Sequence, residues 1–440
     1  MAKCSTFDGL IQAPKSRKLR VDFEGGDICA NAGVLLLGGV DQRLGVTKAV
    51  AHVVAQHDPR DPRFTTHDVR PMVAQRILAI ACGHEDLNDH ARLCHDPLLQ
   101  STCGRDEALA SPSTLCRAEQ WACREMNAGL STLLVETFIK NQKAPPKSLT
   151  LDFDATDSIL HGRQEGRFFN GYYGHYCYLP LYVFCGGEIL VAHLRPSNID
   201  GARHAWAILA LLVKRLRKAW PGVTIIFRGD SGFCRHRMLT WCESHDVQYI
   251  VGIARNPVLE ALTEGLSAAA KTAFEATGQN QRMYGETRYA AQTWSCQRRV
   301  IHKAEHNTLG ENNRYVVTNL EGGAEGLYKD VYCARGDMEN RIKEQQLDLF
   351  AERASAHLFA ANQLRLLLSA FAYVLMERLR SLALCGTVFA RAQCGTLRLH
   401  LLKVAAVIRR NTRSLHVSLC SSYPYAAAFT EIARRVILLA

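Results

Sequence analysis

The stretch LTLDFDATD at residues 149–157 decides the fold prediction. Its apolar and polar residues alternate, with Leu149, Leu151 and Phe153 set between Thr150, Asp152 and Asp154. A strand with this pattern packs one apolar face on a core and carries both aspartates on its other face. We therefore predict a β-strand that holds two carboxylates on the same side.

The residues that follow predict alternating strands and helices. Two strands, at 175–185 and 188–195, are joined by Gly-Gly as in a hairpin. A helix at 202–220 then precedes VTIIF at 223–227, a continuously apolar run typical of a strand buried on both faces. A helix, a strand and another helix complete the series at 233–245, 247–254 and about 257–270.

This order of elements predicts an α/β protein with a ribonuclease H-like mixed sheet. In such a sheet the first and fourth strands lie side by side. Asp152 or Asp154 on the first strand would then meet Asp230, at the carboxyl end of the fourth, at one edge of a cleft. Ligand sites of α/β sheets form beyond the carboxyl ends of strands.

A third carboxylate comes from a repeated tripeptide. Arg-Gly-Asp occurs in FRGDSGF, where it contains Asp230, and again in YCARGDMENRIKE at 332–344. In the second copy Gly336 and Asp337 predict the start of a helix with Asp337 as its N-cap. Glu339 then falls in the first helical turn.

Asp154, Asp230 and Glu339 form the candidate catalytic triad. Three such carboxylates could hold two Mg²⁺ or Mn²⁺ ions, the arrangement that supports phosphoryl transfer. Asp152 stays an alternative metal ligand because it shares a strand face with Asp154. Most Asp residues at strand ends form turns, and most Glu residues in first helical turns complement the helix dipole, so only the order of these residues along the chain joins them.

Composition indicates an ordered globular protein of two or three domains. The 440 residues are 48% apolar and 22% charged, which fits neither a disordered nor a membrane protein. No apolar run reaches the roughly 20 residues that span a bilayer, and the first 18 residues lack the apolar core of a signal peptide. The 16 cysteines contain no Cys-x-x-Cys pair. We expect a cytoplasmic protein with reduced cysteines and no membrane association.

Charge points to a polyanionic partner. The net charge is +11, and residues 351–440 contain 12 Lys and Arg against 3 Asp and Glu. The segment IRRNTR at 408–413 contributes Arg409, Arg410 and Arg413 to this excess, which favours DNA binding. The alternative is a helical face of solvated arginines.

Composition shifts divide the chain into regions. Residues 1–145 predict mostly helices, and the boundary falls at the proline-containing NQKAPPKS. We predict a catalytic domain at 146–270 and 332–380, a β-rich insertion at 271–331 and a helical, basic C-terminal region at 381–440.

The sequence resembles the DDE transposases of the insertion sequence 1380 family over nearly its whole length. The motifs are LDFDATDSILHGRQEGRFFNGYY, PLYVF, FRGDSGF, NRYVVTNL, YCARGDMENRIKE, GHEDLNDHARLCHDP, LASPSTLCRAE and HLFAANQLRLLLSAFAYVLMERLR. The resemblance implies a bacterial, metal-dependent DNA transposase, nucleoid-associated when bound, that cleaves the ends of its own element and joins them to target DNA. The alternative is a DNA-binding regulator of transposase descent without catalysis.

Related transposases carry the signature Tyr-x-x-Arg-x-x-x-Glu with a lysine seven residues beyond the glutamate. Tyr332, Arg335 and Glu339 match it, but Gln346 occupies the lysine position and Lys343 is the nearest basic residue. The resemblance implies that Tyr332, Arg335 and Lys343 contact DNA near the cut.

The resemblance also implies partners and further contacts. Double-stranded DNA would bind as terminal inverted repeats, held by residues 1–145, and as target DNA. The helix at SPSTLCRAE either reads these repeats as part of a helix-turn-helix or is a packing element. The aromatic stretch 168–178 either stacks on unpaired bases or packs a core. Two ends joined to one target need two active sites, so we expect a homodimer on DNA.

Overall fold

The computed structural model describes residues 21–439. Its α-helices are α1 (Val34–Leu44), α2 (Val46–Ala55), α3 (Val69–Cys82), α4 (His90–Leu93), α5 (Pro97–Thr102), α6 (Pro112–Glu119), α7 (Arg124–Asn141), α8 (Ala205–Ala219), α9 (His236–Ser244), α10 (Pro257–Thr277), α11 (Ala324–Gly326), α12 (Gly336–Lys343), α13 (Phe359–Ala383), α14 (Cys394–Leu397) and α15 (Ala426–Leu439). Short 3₁₀ and π turns extend several of them.

The strands are β1 (Asp27–Cys29), β2 (Ser148–Ala155), β3 (Ser158–Ile159), β4 (Phe168–Asn170), β5 (His175–Tyr178), β6 (Leu181–Cys185), β7 (Glu188–His193), β8 (Thr224–Gly229), β9 (Gln248–Ile253), β10 (Gln281–Tyr289), β11 (Arg298–Asn307), β12 (Gly310–Glu311), β13 (Arg314–Thr318), β14 (Ala406–Arg410) and β15 (Leu415–Leu419).

The chain forms two compact units. The first comprises the described parts of Met1–Ala51, Arg60–Cys116 and Arg378–Ala440, and the second comprises His52–Pro59 and Arg117–Glu377. This division differs from the predicted regions, because the N-terminal and C-terminal regions join in one unit while α7 belongs to the other. The functional roles predicted for those regions stay predictions.

The second unit is built on a nine-stranded mixed sheet. Its order is β10-β11-β13-β9-β8-β2-β6-β7, with β12 paired to β11. Strands β2 and β8 run parallel and pair Leu151 with Phe227 and Phe153 with Gly229, so the predicted contact between the first and fourth strands is confirmed. The insertion strands β10, β11 and β13 extend this same sheet, because β13 pairs with β9.

The alternation in β2 produces the predicted apolar face. Leu149, Leu151 and Phe153 are buried in the main core, which also contains residues of α7, α8 and β8. On the other face Asp152 is buried as well. Strand β2 lies in the middle of the sheet. The buried Asp152 carboxylate therefore needs a buried partner.

The predicted strand at 175–185 is two strands. Residues of β5 pair with β3 and β4 in a separate three-stranded sheet, whereas β6 joins the main sheet. Pro180 lies between the two strands, where its lack of an N–H group interrupts pairing. The Gly-Gly hairpin is confirmed: Cys185 pairs with Glu188 across it.

The segment 324–348 is one continuous helical stretch of changing pitch. It passes from α11 through π and 3₁₀ turns to α12 and ends in a further π turn. The predicted N-cap at Asp337 is therefore wrong. The residues before it are already helical, so Asp337 lies in the first turn of α12 and there is no free helix end for it to cap.

The first unit is mostly helical but holds a three-stranded sheet of β1, β14 and β15. The prediction of a helical C-terminal region is wrong for residues 406–419, because they form a hairpin. This hairpin pairs with β1, near which the Ala32 N–H group donates to the Val404 carbonyl oxygen at 2.9 Å. A pairing between residues 377 to 381 positions apart leaves no local signal.

One described helix, α13, is long and apolar enough to cross a membrane. However, 83% of its most apolar window is buried inside the protein. Core helices of globular proteins have this length and composition too, so α13 is weak evidence for a membrane span.

Candidate active site

The parallel pairing of β2 with β8 brings two candidate carboxylates to one sheet edge. Asp154 follows Phe153 and Asp230 follows Gly229, and these two preceding residues are register partners. The Asp154 Oδ1 atom accepts from the Ala155 N–H group at 2.9 Å, and Asp230 Oδ1 accepts from Gly232 N–H at 2.9 Å. Both carboxylates are thus oriented by local backbone donors.

Arg335 connects the strand carboxylate with the helix carboxylate. Its Nη1 atom lies 3.4 Å from Asp154 Oδ2, and its Nη2 atom donates to Glu339 Oε1 at 2.6 Å. Burial lowers the pKa of Arg335, but Asp154 and Glu339 outweigh it and raise the pKa. A fixed cation therefore lies between the two candidate ligands.

The pKa of Asp154 reflects burial first and neighbouring charge second. It is raised to about 6, mainly by burial, and the like charges of Asp230 and Glu339 contribute to the rise. Arg335 and the Ala155 N–H group lower it only in part. Asp230 and Glu339 are close enough to shift the pKa of Asp154. A cation added to this cluster would neutralise its negative charge.

The donors fit Mg²⁺ or Mn²⁺ in kind. Carboxylate oxygens are the ligands that these hard cations prefer, and the Arg335 guanidinium marks where positive charge is favourable. Among residues 21–439, no group of three or more His, Cys, Asp or Glu side chains is already spaced to hold a metal ion. In this arrangement the Arg335 guanidinium is the cation that contacts Asp154 and Glu339.

Asp152 has a different environment. Its Oδ2 atom accepts from Arg228 Nη2 at 2.7 Å, its Oδ1 atom accepts from Arg228 Nε, and Arg228 Nη1 donates to the Val331 carbonyl oxygen. Both carboxylate oxygens are thus engaged and buried. This placement argues against Asp152 as a metal ligand and makes it a structural anchor.

Arg228 was missed by the sequence analysis. It links β2, β8 and the helical segment that carries Arg335 and Glu339. The signal was present in the repeated tripeptide, because Arg228 and Arg335 are the arginines of its two copies.

A cavity of about 260 Å³ lies beside Asp230. Its lining includes the cationic and aromatic side chains of Arg255, Arg314, Arg335, Tyr328 and Tyr332. A Cβ atom at Gly252 would lie 2.6 Å from the Tyr332 hydroxyl oxygen and 2.9 Å from the Ser231 nitrogen. Glycine is therefore required there for Tyr332 to reach the Asp230 loop.

Comparison with protein families identifies the chain. The model of the family "Transposase DDE domain group 1" matches residues 11–440. The chain belongs to this DDE transposase family. No significant match was found among curated proteins. One similar solved structure is the cryo-EM structure of the piggyBac transposase synaptic complex with hairpin DNA, with 10% identity, a TM-score of 0.40, and coverage of 80% of this chain and 76% of that chain.

Near the candidate triad of this transposase, the predicted DNA contacts have different surroundings. Tyr332 is half-buried and Lys343, at the end of α12, is exposed. Gln346, at the position of the family lysine, donates from Nε2 to the Asp157 carbonyl oxygen at 3.0 Å. Gln346 thus fastens the helical segment to the loop after β2, and Lys343 is left as the exposed cation.

The other predicted DNA contacts of the transposase belong to its first unit. Arg409 and Arg410 end β14, Arg413 lies in the turn before β15, and all three are exposed. Arg410 Nη1 donates to the Asp106 carbonyl oxygen at 2.9 Å. Ser111 precedes α6 and accepts from the Thr114 N–H group at 3.4 Å, as an N-cap does. Whether α6 reads DNA bases stays a prediction.

Proposed function

We propose that the protein is an active transposase of the insertion sequence 1380 family. It cleaves the ends of its mobile element and joins them to target DNA, with Asp154, Asp230 and Glu339 as catalytic residues. The observation that carries this proposal is the bridge of Arg335 between Asp154 and Glu339 at the strand edge that Asp230 shares.

In this proposal the three carboxylates hold Mg²⁺ or Mn²⁺. When bound, these ions stabilise charge on the attacking and leaving oxygens of an in-line displacement. The protein contributes orientation: Gly232 N–H fixes Asp230, and Ala155 N–H fixes Asp154. Asp154 must be ionised to act, and Arg335, released from the carboxylates, is free to bind a phosphate.

We also propose that the catalytic domain has the ribonuclease H-like layout. The sheet order β7-β6-β2-β8-β9 supports it, with β7, β6 and β2 antiparallel and β2, β8 and β9 parallel. The strands of 271–331 are then an insertion that widens the sheet. The roles of 1–145 in end binding and of 381–440 in DNA binding are part of the same proposal.

The test of the catalytic proposal uses Asp230→Ala and Glu339→Ala. The substrate is a supercoiled plasmid that carries the coding sequence with its flanking DNA, incubated with Mg²⁺ or Mn²⁺. We expect both variants to lose cleavage while binding to the same DNA stays nearly intact. Asp337→Ala is the matched control, because Asp337 is an exposed carboxylate in the same helical turn as Glu339.

Two outcomes would contradict the proposal. Equal loss of binding and cleavage would mean that the carboxylates hold the fold rather than metal ions. DNA binding by the wild-type protein without any metal-dependent cleavage would favour the non-catalytic regulator.

The basic C-terminal region is proposed to bind DNA phosphates. Arg409→Gln and Arg413→Gln should weaken binding to any sequence and reduce its salt slope by close to one unit for each lost phosphate contact. Arg410→Gln should have a smaller effect, because Arg410 already donates to Asp106. Arg434→Gln is the control, since Arg434 is paired with Glu431. An unchanged slope would make these arginines a solvated face.

A homodimer on DNA completes the proposal, because one triad cannot act on two ends at once. Light scattering should give two protomers for two bound ends and a monomer or weak dimer without DNA. One protomer on two ends would contradict the dimer.

A further inference from the structure

The second unit carries an exposed aromatic hairpin, formed by β4, the turn at 171–174 and β5. Four of its rings face solvent: Phe168, Phe169, Tyr172 and Tyr176. Tyr172 is 90% exposed and Phe169 is 57% exposed. Clustered, uncovered aromatic rings of this kind mark a binding surface more than a packing surface.

The hairpin is held in place from its inner side. The Asn170 Nδ2 atom donates to the Ser197 carbonyl oxygen at 2.9 Å, and the Ser197 hydroxyl donates to the Phe168 carbonyl oxygen at 2.9 Å. At the turn, Asn170 Oδ1 accepts from the Tyr172 N–H group at 3.0 Å. The exposed rings therefore lose little conformational freedom when something binds them.

Cations accompany the rings. The Arg167 guanidinium lies 4.1 Å from the centre of the Tyr176 ring, and Arg163 is exposed nearby in the sequence. The one acid in this segment, Glu165, uses its Oε2 atom to accept from the Phe359 N–H group at 2.9 Å. The surface thus combines flat aromatic faces with positive charge, which fits a flat and anionic ligand.

The hairpin is attached next to the candidate catalytic strand. His175 Nε2 lies 2.7 Å from Asp157 Oδ2, in the loop that follows β2. Tyr173, in the turn, is close enough for charge effects: burial raises its pKa to about 12, with further contributions from Asp157 and Asp154. The hairpin is therefore joined directly to the loop that follows β2.

We propose that the aromatic hairpin binds unpaired DNA bases by stacking on Phe169 and Tyr172. This inference rests on the proposed function, because cleavage at an element end leaves bases that can separate from their complement. The faces of paired bases inside a duplex are covered by their neighbours, so the surface should select single strands. Stacking also tolerates any base, since every base has a flat π-face.

The experiment compares a 20-nucleotide single strand that contains 2-aminopurine with a 20-base-pair blunt duplex. On wild-type protein we expect 2-aminopurine fluorescence to be quenched. Phe169→Ala with Tyr172→Ala should weaken single-strand binding by about tenfold or more and abolish quenching, with duplex binding changed less than about twofold. Tyr172→Trp should keep quenching. Leu309→Ala is the control, because Leu309 is 97% exposed at another turn of the same unit.

Each other outcome overturns the proposal. Unchanged single-strand binding, or equal losses of affinity for the single strand and the duplex, would exclude base stacking. Weaker self-association of the double variant would assign the hairpin to a protein interface. The readout needs no cleavage, so it succeeds or fails independently of the Asp230→Ala and Glu339→Ala test.

Discussion

Two aspartates of β2 each pair with an arginine of one Arg-Gly-Asp copy, yet the two pairs differ. Asp152 and Arg228 have side-chain exposures of 3% and 10%, and both carboxylate oxygens are engaged. Asp154 and Arg335 have exposures of 19% and 18%, and their single contact is 3.4 Å long. Arg335 divides its hydrogen bonds between Asp154 and Glu339.

The difference follows from where each arginine is attached. Arg228 is the register partner of Asp152 inside the sheet, so its position is fixed by strand pairing. Asp154 lies past the last β2–β8 pair, and Arg335 reaches it from the helical segment. The first pair therefore anchors that segment to the sheet, and the second leaves a carboxylate that can change partners.

The largest expected effect is on stability, from breaking the buried pair. Arg228→Met leaves Asp152 buried without its cation and also removes the donor to Val331. We expect a loss of about 3–5 kcal/mol in unfolding free energy. Urea denaturation measures it, and hydrogen exchange in β2 and β8 assigns the loss to this sheet.

The double variant Asp152→Leu with Arg228→Met is the control for this loss. Because it leaves no unpaired charge, it should recover much of the stability. A loss below about 1 kcal/mol for Arg228→Met alone would erase the distinction between the two pairs.

An intermediate effect concerns pH and Asp154. Its folded-state pKa is about 6, above the roughly 3.9 of an unfolded chain. The folded protein therefore binds more protons between these values, so stability rises as pH falls from 7 toward 4. Asp154→Asn removes this gain. In metal-free buffer, the wild type should gain roughly 2 kcal/mol relative to Asp154→Asn over that range.

Chemical denaturation of both proteins at several pH values measures this difference. Comparing the two cancels the titration of all other groups. A constant difference between pH 7 and pH 4 would mean that folding does not raise the pKa of Asp154.

The sequence predicted the parts of the site that depend on local pattern. Alternation in 149–157 predicted β2 and the shared face of its aspartates, and the apolar run at 223–227 predicted β8. Their side-by-side pairing followed from the order of elements and is confirmed. Asp154 and Asp230 lie at the same sheet edge because strand periodicity and parallel pairing leave little freedom.

The remainder depended on distant contacts. A buried Arg228 is stable only because Asp152 and Val331 accept hydrogen bonds from its guanidinium, and no local pattern encodes that partnership. The predicted N-cap at Asp337 is wrong because the helical segment already begins with α11. The hairpin β14–β15 was not predicted because the third strand of its sheet is β1, which is distant in the sequence.

The pair of Asp154 and Arg335 gives the smallest expected effect on stability and the sharpest expected effect on function. Arg335→Gln removes a partly exposed cation, so unfolding free energy should change by only about 0.2–1 kcal/mol. The three carboxylates then lose their internal counter-charge. Binding of Mn²⁺, measured by calorimetry without DNA, should tighten by roughly fivefold, since removing a nearby like charge is worth at least ~1 kcal/mol.

Lys329→Gln is the matched control, because Lys329 pairs with Glu325 at the same i,i+4 spacing on the same helical segment and should leave Mn²⁺ binding unchanged. Weaker Mn²⁺ binding by Arg335→Gln would reverse the interpretation, because Arg335 would then be an anchor that holds the ligands in place, as Arg228 is for Asp152.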